Sequence, residues 1–96
     1  MVIKALDHVD RCYSTADGAV IARVLRGAFA RHQRVILSFA GVDDVPSSFV
    51  NASLVALMDG HTADWLKSKL SVIDATPQIA DMIRRCIANA SRLQAA

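Results

Sequence analysis

The chain has 96 residues, the length of one small domain with a single hydrophobic core. Hydrophobic residues make up 53% and charged residues 21%, a balance that excludes a disordered chain. A net charge of +2 argues against nucleic acid as a partner, and no apolar run reaches the roughly 18 residues that a membrane span requires. The sequence therefore predicts a single domain over residues 1–96.

The cysteine spacing and the first residues favour a reducing compartment. Cys12 and Cys86 lie far apart in the sequence, and neither belongs to a spacing typical of zinc or of a disulfide framework. The segment MVIKALDHVD lacks the basic and then apolar regions of an export signal. We therefore expect a cytoplasmic protein.

Three segments have the composition of strands. The first is Met1 to Val9, and residues 11–15 either extend it or form a second strand, before Asp17-Gly18 gives a turn signal. Arg34 to Phe39 is a continuous β-branched and aromatic run, typical of a strand buried on both faces of a parallel sheet. Lys69 to Asp74 is the last predicted strand.

Three helices are predicted between and after these strands, because apolar residues recur in them at helical spacing. Gly27 lies inside the first helix and indicates either a tolerated glycine or close packing against a neighbour. Thr76 is the predicted N-cap of the third helix, with Pro77 at its first position. The helices cover about residues 19–31, 48–59 and 77–91, and residues 61–67 form a helical turn.

The order strand, helix, strand, helix, strand, helix indicates parallel pairing through right-handed crossovers. The expected fold class is therefore α/β. It is a small single-domain sandwich, with a mostly parallel sheet of three to four strands and helices largely on one face.

The sequence contains no motif typical of an enzyme. His8, His32 and His61 lie in separate segments, and none accompanies a motif that presents a nucleophile. Asp43 and Asp44 follow the central strand, where ligands often bind, but adjacent acids usually point apart and no nearby acid completes a metal site. Glycine-rich nucleotide motifs are absent. We therefore expect no catalytic residues, no metal and no cofactor.

The segment GVDDVPSSFVNAS joins the central strand to the second helix. Pro46 disfavours helical geometry at Val45, so the helix is expected to begin directly after the proline. Ser47 is then the predicted N-cap, whose oxygen accepts a first-turn N–H. The same geometry places Ser48 at the positive end of a helix, where backbone donors stabilise an added phosphate. The residues alone leave both a helix start and a phosphorylation site open.

The strand RVILSFAGV, followed by VPSSF and the apolar helix VNASLVALM, resembles the STAS-like domains of unknown function. These are relatives of the STAS domains of anti-sigma factor antagonists and sulfate transporters. The resemblance extends from about Tyr13 to Ala88 and implies a STAS-like fold and a non-enzymatic binding module. In such antagonists, a histidine-kinase-like ATPase that is also the anti-sigma factor phosphorylates a serine at this helix start. Only the unphosphorylated form binds that partner.

Carried onto this chain, the resemblance implies Ser48 as the phosphate acceptor, with Ser47 beside it as cap and second candidate. The antagonists usually read Asp-Ser-Ser/Thr-Gly here, whereas this chain has Pro46 at the aspartate position and Phe49 at the glycine position. The expected docking edge for a protein partner consists of Asp43, Asp44, Ser47, Ser48 and Asn51. The alternative is a domain for assembly or for binding an anion or nucleotide near Asp43 to Ser48, without phosphorylation.

Overall fold

The computed structural model describes the backbone of residues 1–95 and the side chains of residues 1–92. Its centre is a sheet of three parallel strands in the order β1-β2-β3. The strands are β1 (Val2–Lys4), β2 (Val35–Ser38) and β3 (Leu70–Ile73). The predicted α/β class and the parallel sheet with the second strand at its centre are therefore confirmed.

Four α-helices accompany the sheet in the described residues. They are α1 (Thr15–Phe29), α2 (Ser47–Ser53), α3 (Ala63–Lys69) and α4 (Pro77–Ala95). Short 3-10 helices cover Ala5–Asp7 and Val55–Met58. Across residues 1–95, no helix combines the length and the apolar character that crossing a bilayer requires.

The sheet buries mainly one of its two faces. Ile3, Val35 and Leu37 are buried in the core, whereas Val2 and Ile73 are exposed on the opposite face. This alternation follows from the two-residue period of a strand, in which successive side chains point to opposite faces. The expectation of helices largely on one face is confirmed.

Helix α1 begins four residues before the predicted start at Ala19. The Ser14 Oγ accepts the Asp17 N–H at 3.1 Å, and the Asp17 carboxylate accepts the Ser14 N–H at 3.0 Å. This reciprocal pair is a capping box. The backbone hydrogen bond from Ser14 is the main cause that lowers the pKa of Asp17. Asp17-Gly18 is therefore the first turn of a helix, and its interpretation as a turn between elements was wrong.

Gly18 allows α1 to lie close to α2. A Cβ atom added at Gly18 would lie 2.6 Å from the Phe49 carbonyl oxygen and 2.8 Å from the Ala52 Cβ. At Gly27 such an atom would have nothing within 4 Å. Gly27 is therefore the tolerated glycine of the two alternatives, and the close helix contact depends on Gly18.

Two predicted elements are shorter in the structure. Strand β1 ends at Lys4 and not at Val9, because Ala5–Asp7 turns into a 3-10 helix, and residues 11–14 form no strand. Helix α2 ends at Ser53 and not at Asp59. The buried Ser53 Oγ donates to the carbonyl oxygen four residues earlier, at 2.8 Å, a bond that favours bending of a helix.

Candidate functional site

The loop between β2 and α2, residues 39–46, begins with a tight turn. The Val42 N–H donates to the Phe39 carbonyl oxygen at 2.9 Å. Gly41 has a φ of 83°, in the left-handed region that side chains disfavour, and a Cβ added there would lie 3.1 Å from the Leu6 Cδ1. The turn therefore requires glycine at this position.

The second half of this loop is held by the first turn of α4. The Gln78 side-chain amide pairs with both backbone groups of Val45: Oε1 accepts the N–H and Nε2 donates to the carbonyl oxygen, each at 2.9 Å. The Thr76 hydroxyl donates to the Asp43 carbonyl oxygen at 2.9 Å and accepts the Ile79 N–H at 3.3 Å. The predicted N-cap Thr76 is thus confirmed and also holds the loop. These bonds fix the start of α2 relative to α4.

Replacing Gln78 with alanine is expected to loosen the loop while the fold remains. The change leaves the Val45 N–H and carbonyl without partners, which lowers the free energy of unfolding by about 1–2 kcal/mol. Amide hydrogen exchange measured by NMR should be at least ~10-fold faster at Val45, because its protection depends on that bond. The matched control is Gln33→Ala, at an exposed glutamine to which the structure assigns no hydrogen bond. Unchanged exchange at Val45 in Gln78→Ala contradicts the anchoring.

A polar pair of the buried Ser38 and the exposed Asp74 lies at the carboxyl end of β2. The Ser38 Oγ donates to the Asp74 Oδ2 at 2.7 Å and accepts the Ala40 N–H at 3.2 Å. Asp74 follows β3 directly and has a φ of 57°, which is uncommon for a residue with a side chain. Sequence reasoning missed this pair, and its only signal was a serine inside an apolar strand. The pair joins the ends of β2 and β3.

Ser47 and Ser48 are the first two residues of α2, and both are exposed. The predicted N-cap role of Ser47 was wrong, because Pro46 occupies that position with φ −83° and ψ 163°. A proline side chain has no acceptor atom, so α2 has no side-chain cap. Phe49 and Val50 come next and are completely buried. The two exposed hydroxyls therefore precede a pair of core residues that hold the helix in place.

All five residues of the predicted docking edge are exposed, but the structure divides four of them between two grooves. Ser47 and Asn51 line the α2–α4 groove, a hollow of about 710 Å³ that α4 lines on its other side. Asp43 and Asp44 line a hollow of about 210 Å³ beside residues 10–13. Ser48 lines neither of these two grooves. The docking edge therefore does not form one continuous groove.

The charge differs along this edge. Arg85 and Arg92 line the α2–α4 groove, and no acidic residue does. The Arg85 guanidinium lies 3.0 Å from the Asp81 carboxylate, and both side chains are well exposed. The loop on the other side carries the exposed acids Asp43 and Asp44. The surface therefore carries positive charge in the α2–α4 groove beside Ser47. It carries negative charge on the loop that precedes Ser47 in the sequence.

The side chains most often used in catalysis are not grouped. Across the described residues, no three His, Cys, Asp or Glu side chains are placed to hold a metal ion. Burial, followed by the charge of Asp17, raises the pKa of Cys12 to about 11, and burial raises the pKa of Cys86. Both thiols therefore stay protonated near neutral pH and are poor nucleophiles. The exposed His61 ring stacks on the Trp65 ring, with 3.7 Å between centroids.

These observations define a small α/β domain in which the central parallel strand leads through an anchored loop into a helix that begins with two exposed serines. Residues 19–80 match the family described as the STAS-like domain of unknown function (DUF4325). The match covers more than half of the chain, so the chain belongs to this family, and the resemblance seen in the sequence is confirmed. Neither the curated proteins nor the solved structures include a match to this chain.

Proposed function

We propose that the chain is a cytoplasmic regulatory protein-interaction domain without enzymatic activity, switched by phosphorylation of Ser48. The observation that carries this proposal is the exposed hydroxyl of Ser48 on a rigidly held helix start. The buried side chains of Phe49 and Val50 anchor α2 to the core. The hydrogen bonds between Gln78 and Val45 hold the loop that precedes α2. A kinase needs an accessible hydroxyl, and a binding partner needs a surface of constant shape. This edge of the domain offers both.

The proposed partner is a histidine-kinase-like ATPase of the anti-sigma factor type, as the resemblance to anti-sigma factor antagonists suggests. It binds the docking edge formed by Asp43, Asp44, Ser47, Ser48 and Asn51. A phosphate on Ser48 adds a charge of about −1.5 to −2 to an edge that already carries two exposed acids. Removing that charge from water on binding is unfavourable unless the partner supplies matching cations. Phosphorylation therefore releases the partner.

Ser48→Asp is expected to weaken partner binding at least ~30-fold, about 2 kcal/mol, while Ser48→Ala binds like the unchanged chain. The aspartate introduces the charge that the phosphate brings, whereas alanine keeps the helix start neutral. Isothermal titration against a candidate histidine-kinase-like ATPase measures the difference. Ser68→Asp adds the same charge at an exposed serine on α3 and serves as the matched control.

Mass spectrometry after incubation with that ATPase and ATP tests the covalent step. The expected product carries one phosphate, on Ser48. A phosphate on Ser47 moves the acceptor by one residue and contradicts the assignment to Ser48. If neither binding nor modification is observed with such an ATPase, the proposed function is wrong.

A second candidate function is binding of a small anion or nucleotide, or assembly, without phosphorylation. The basic α2–α4 groove favours it, because Ser47 and Asn51 share that groove with Arg85 and Arg92. A ligand that binds only the folded state raises the midpoint of thermal unfolding. A thermal-shift screen with phosphate and nucleotides tests this function, and Arg85→Gln combined with Arg92→Gln should abolish any shift.

A further inference from the structure

An apolar groove of about 410 Å³ lies between α3 and α4. We name it the α3–α4 groove. Its volume falls within the range of roughly 300–1,000 Å³ that is typical of small-molecule sites. Val72, Ile83 and Ile87 in its lining are only partly buried, so they leave aliphatic surface accessible to a ligand. Leu54, Leu66 and Leu70 also line the groove and belong to the core.

Each of the two flanking helices contributes one cation to this groove. Lys67 follows Leu66 on α3, and Arg84 follows Ile83 on α4. The structure places no acidic residue in the lining. Lys67 has no ion-pair partner within residues 1–92, and the Arg84 guanidinium, 72% exposed, makes only a 3.6 Å contact with Asp81. Both cations are therefore available to an anionic ligand.

We propose that the α3–α4 groove binds a small amphiphile with one apolar chain and one anionic head group, of which a medium-chain carboxylate is the simplest example. The apolar chain packs on the aliphatic lining, and the head group lies at Lys67 and Arg84. None of the docking-edge residues Asp43, Asp44, Ser47, Ser48 and Asn51 lines this groove, so the inference does not depend on the proposed function.

A second copy of the chain is a poorer occupant than an anionic amphiphile. In a symmetric pair the same patch of each copy meets its counterpart. Such a contact would bring Lys67 and Arg84 of both copies together, and like charges in an interface repel. Charge complementarity therefore favours an acidic ligand over self-association.

Titration calorimetry with hexanoate, octanoate and decanoate, each below its micellar concentration, tests the proposal. Saturable binding at one site is expected, with Kd falling about fourfold for each methylene added, as the burial of apolar surface requires. Octanol has the same chain without the charge and should bind more weakly than octanoate. Octylammonium, which carries the opposite charge, should bind most weakly of the three.

Variants at the groove separate its charge from its apolar lining. Lys67→Gln combined with Arg84→Gln should raise the Kd of octanoate about tenfold and leave that of octanol unchanged. Lys4→Gln combined with Arg23→Gln removes the same charge at exposed positions outside the groove and should change neither value. All four positions are exposed, so these variants are expected to fold.

Four results would overturn the proposal. The first is a lack of saturable decanoate binding, and the second is equal affinity for octanoate and octylammonium. The third is a dimer, seen by sedimentation, that Ile87→Glu dissociates, because it would assign the groove to a second copy. An equal loss of octanoate binding in both double variants would likewise contradict a head-group site at Lys67 and Arg84.

Discussion

Replacing Phe49 with alanine is expected to lower the free energy of unfolding by about 4 kcal/mol. The Phe49 side chain is completely buried, and its ring meets the Phe39 ring edge to face, with 6.4 Å between centroids. Truncation removes these contacts and leaves a cavity that close-packed neighbours fill only in part. Domains of this size are stabilised by only about 5–15 kcal/mol in total, so the variant should unfold at much lower urea concentration.

Phe49→Leu is the matched control, because leucine retains a large apolar side chain at the same position and removes only the aromatic ring. Phe49→Leu should lower the free energy of unfolding by about 1–2 kcal/mol, and the variant should remain folded. The effect at this position can then be measured even if the alanine variant does not fold. A loss below about 1.5 kcal/mol in Phe49→Ala would contradict the anchoring of α2 by this residue. The antagonists that the chain resembles carry glycine at this position. Here Phe49 lies in the core, so it does not shield the exposed Ser48 hydroxyl.

Gly18→Ala is expected to lower the free energy of unfolding by about 2–3 kcal/mol. Alanine favours a helix by about 1 kcal/mol over glycine, but the added methyl group has no room. It would lie 2.6 Å from the Phe49 carbonyl oxygen, a backbone atom that moves only if α1 and α2 separate. Urea unfolding followed by circular dichroism gives the difference in stability.

Gly27→Ala provides a control with the opposite sign. The same substitution in the same helix meets nothing within 4 Å, so the gain in helix propensity remains, and the free energy of unfolding should rise by about 0.5–1 kcal/mol. If both glycine variants gain stability, the close contact between α1 and α2 is not a constraint. If Gly18→Ala alone loses stability, the contact is established.

The order and type of the main elements were predictable, because hydrophobic periodicity and β-branched runs depend on local sequence. The start of α1 was harder to predict. Asp17-Gly18 is a common turn signal, and the capping box here pairs Ser14 with an aspartate where glutamate or glutamine is usual. The glycine is present for packing against a helix distant in sequence, which local patterns do not reveal.

Only the features of the candidate site that depend on residues adjacent in sequence could be predicted. Pro46 correctly indicated that a helix begins beside Ser47 and Ser48, although the proline itself turned out to be the N-cap residue. The pairing of Gln78 with Val45 joins segments 33 residues apart, and no spacing rule predicts it. The division of the docking edge between two grooves depends equally on where α4 lies. Tertiary packing decides both features.

The pairing register of the sheet has a consequence for the speed of folding. Val2 pairs with Ile36, and Val35 pairs with Leu70, so each strand pair joins segments more than thirty residues apart. No pair can form as a hairpin, and the entropy of closing a long loop is lost before a ladder bond forms. We therefore expect the domain to fold more slowly than a helical bundle of the same length. Because β2 takes part in both pairings, we expect β1 and β3 to assemble cooperatively on this one strand.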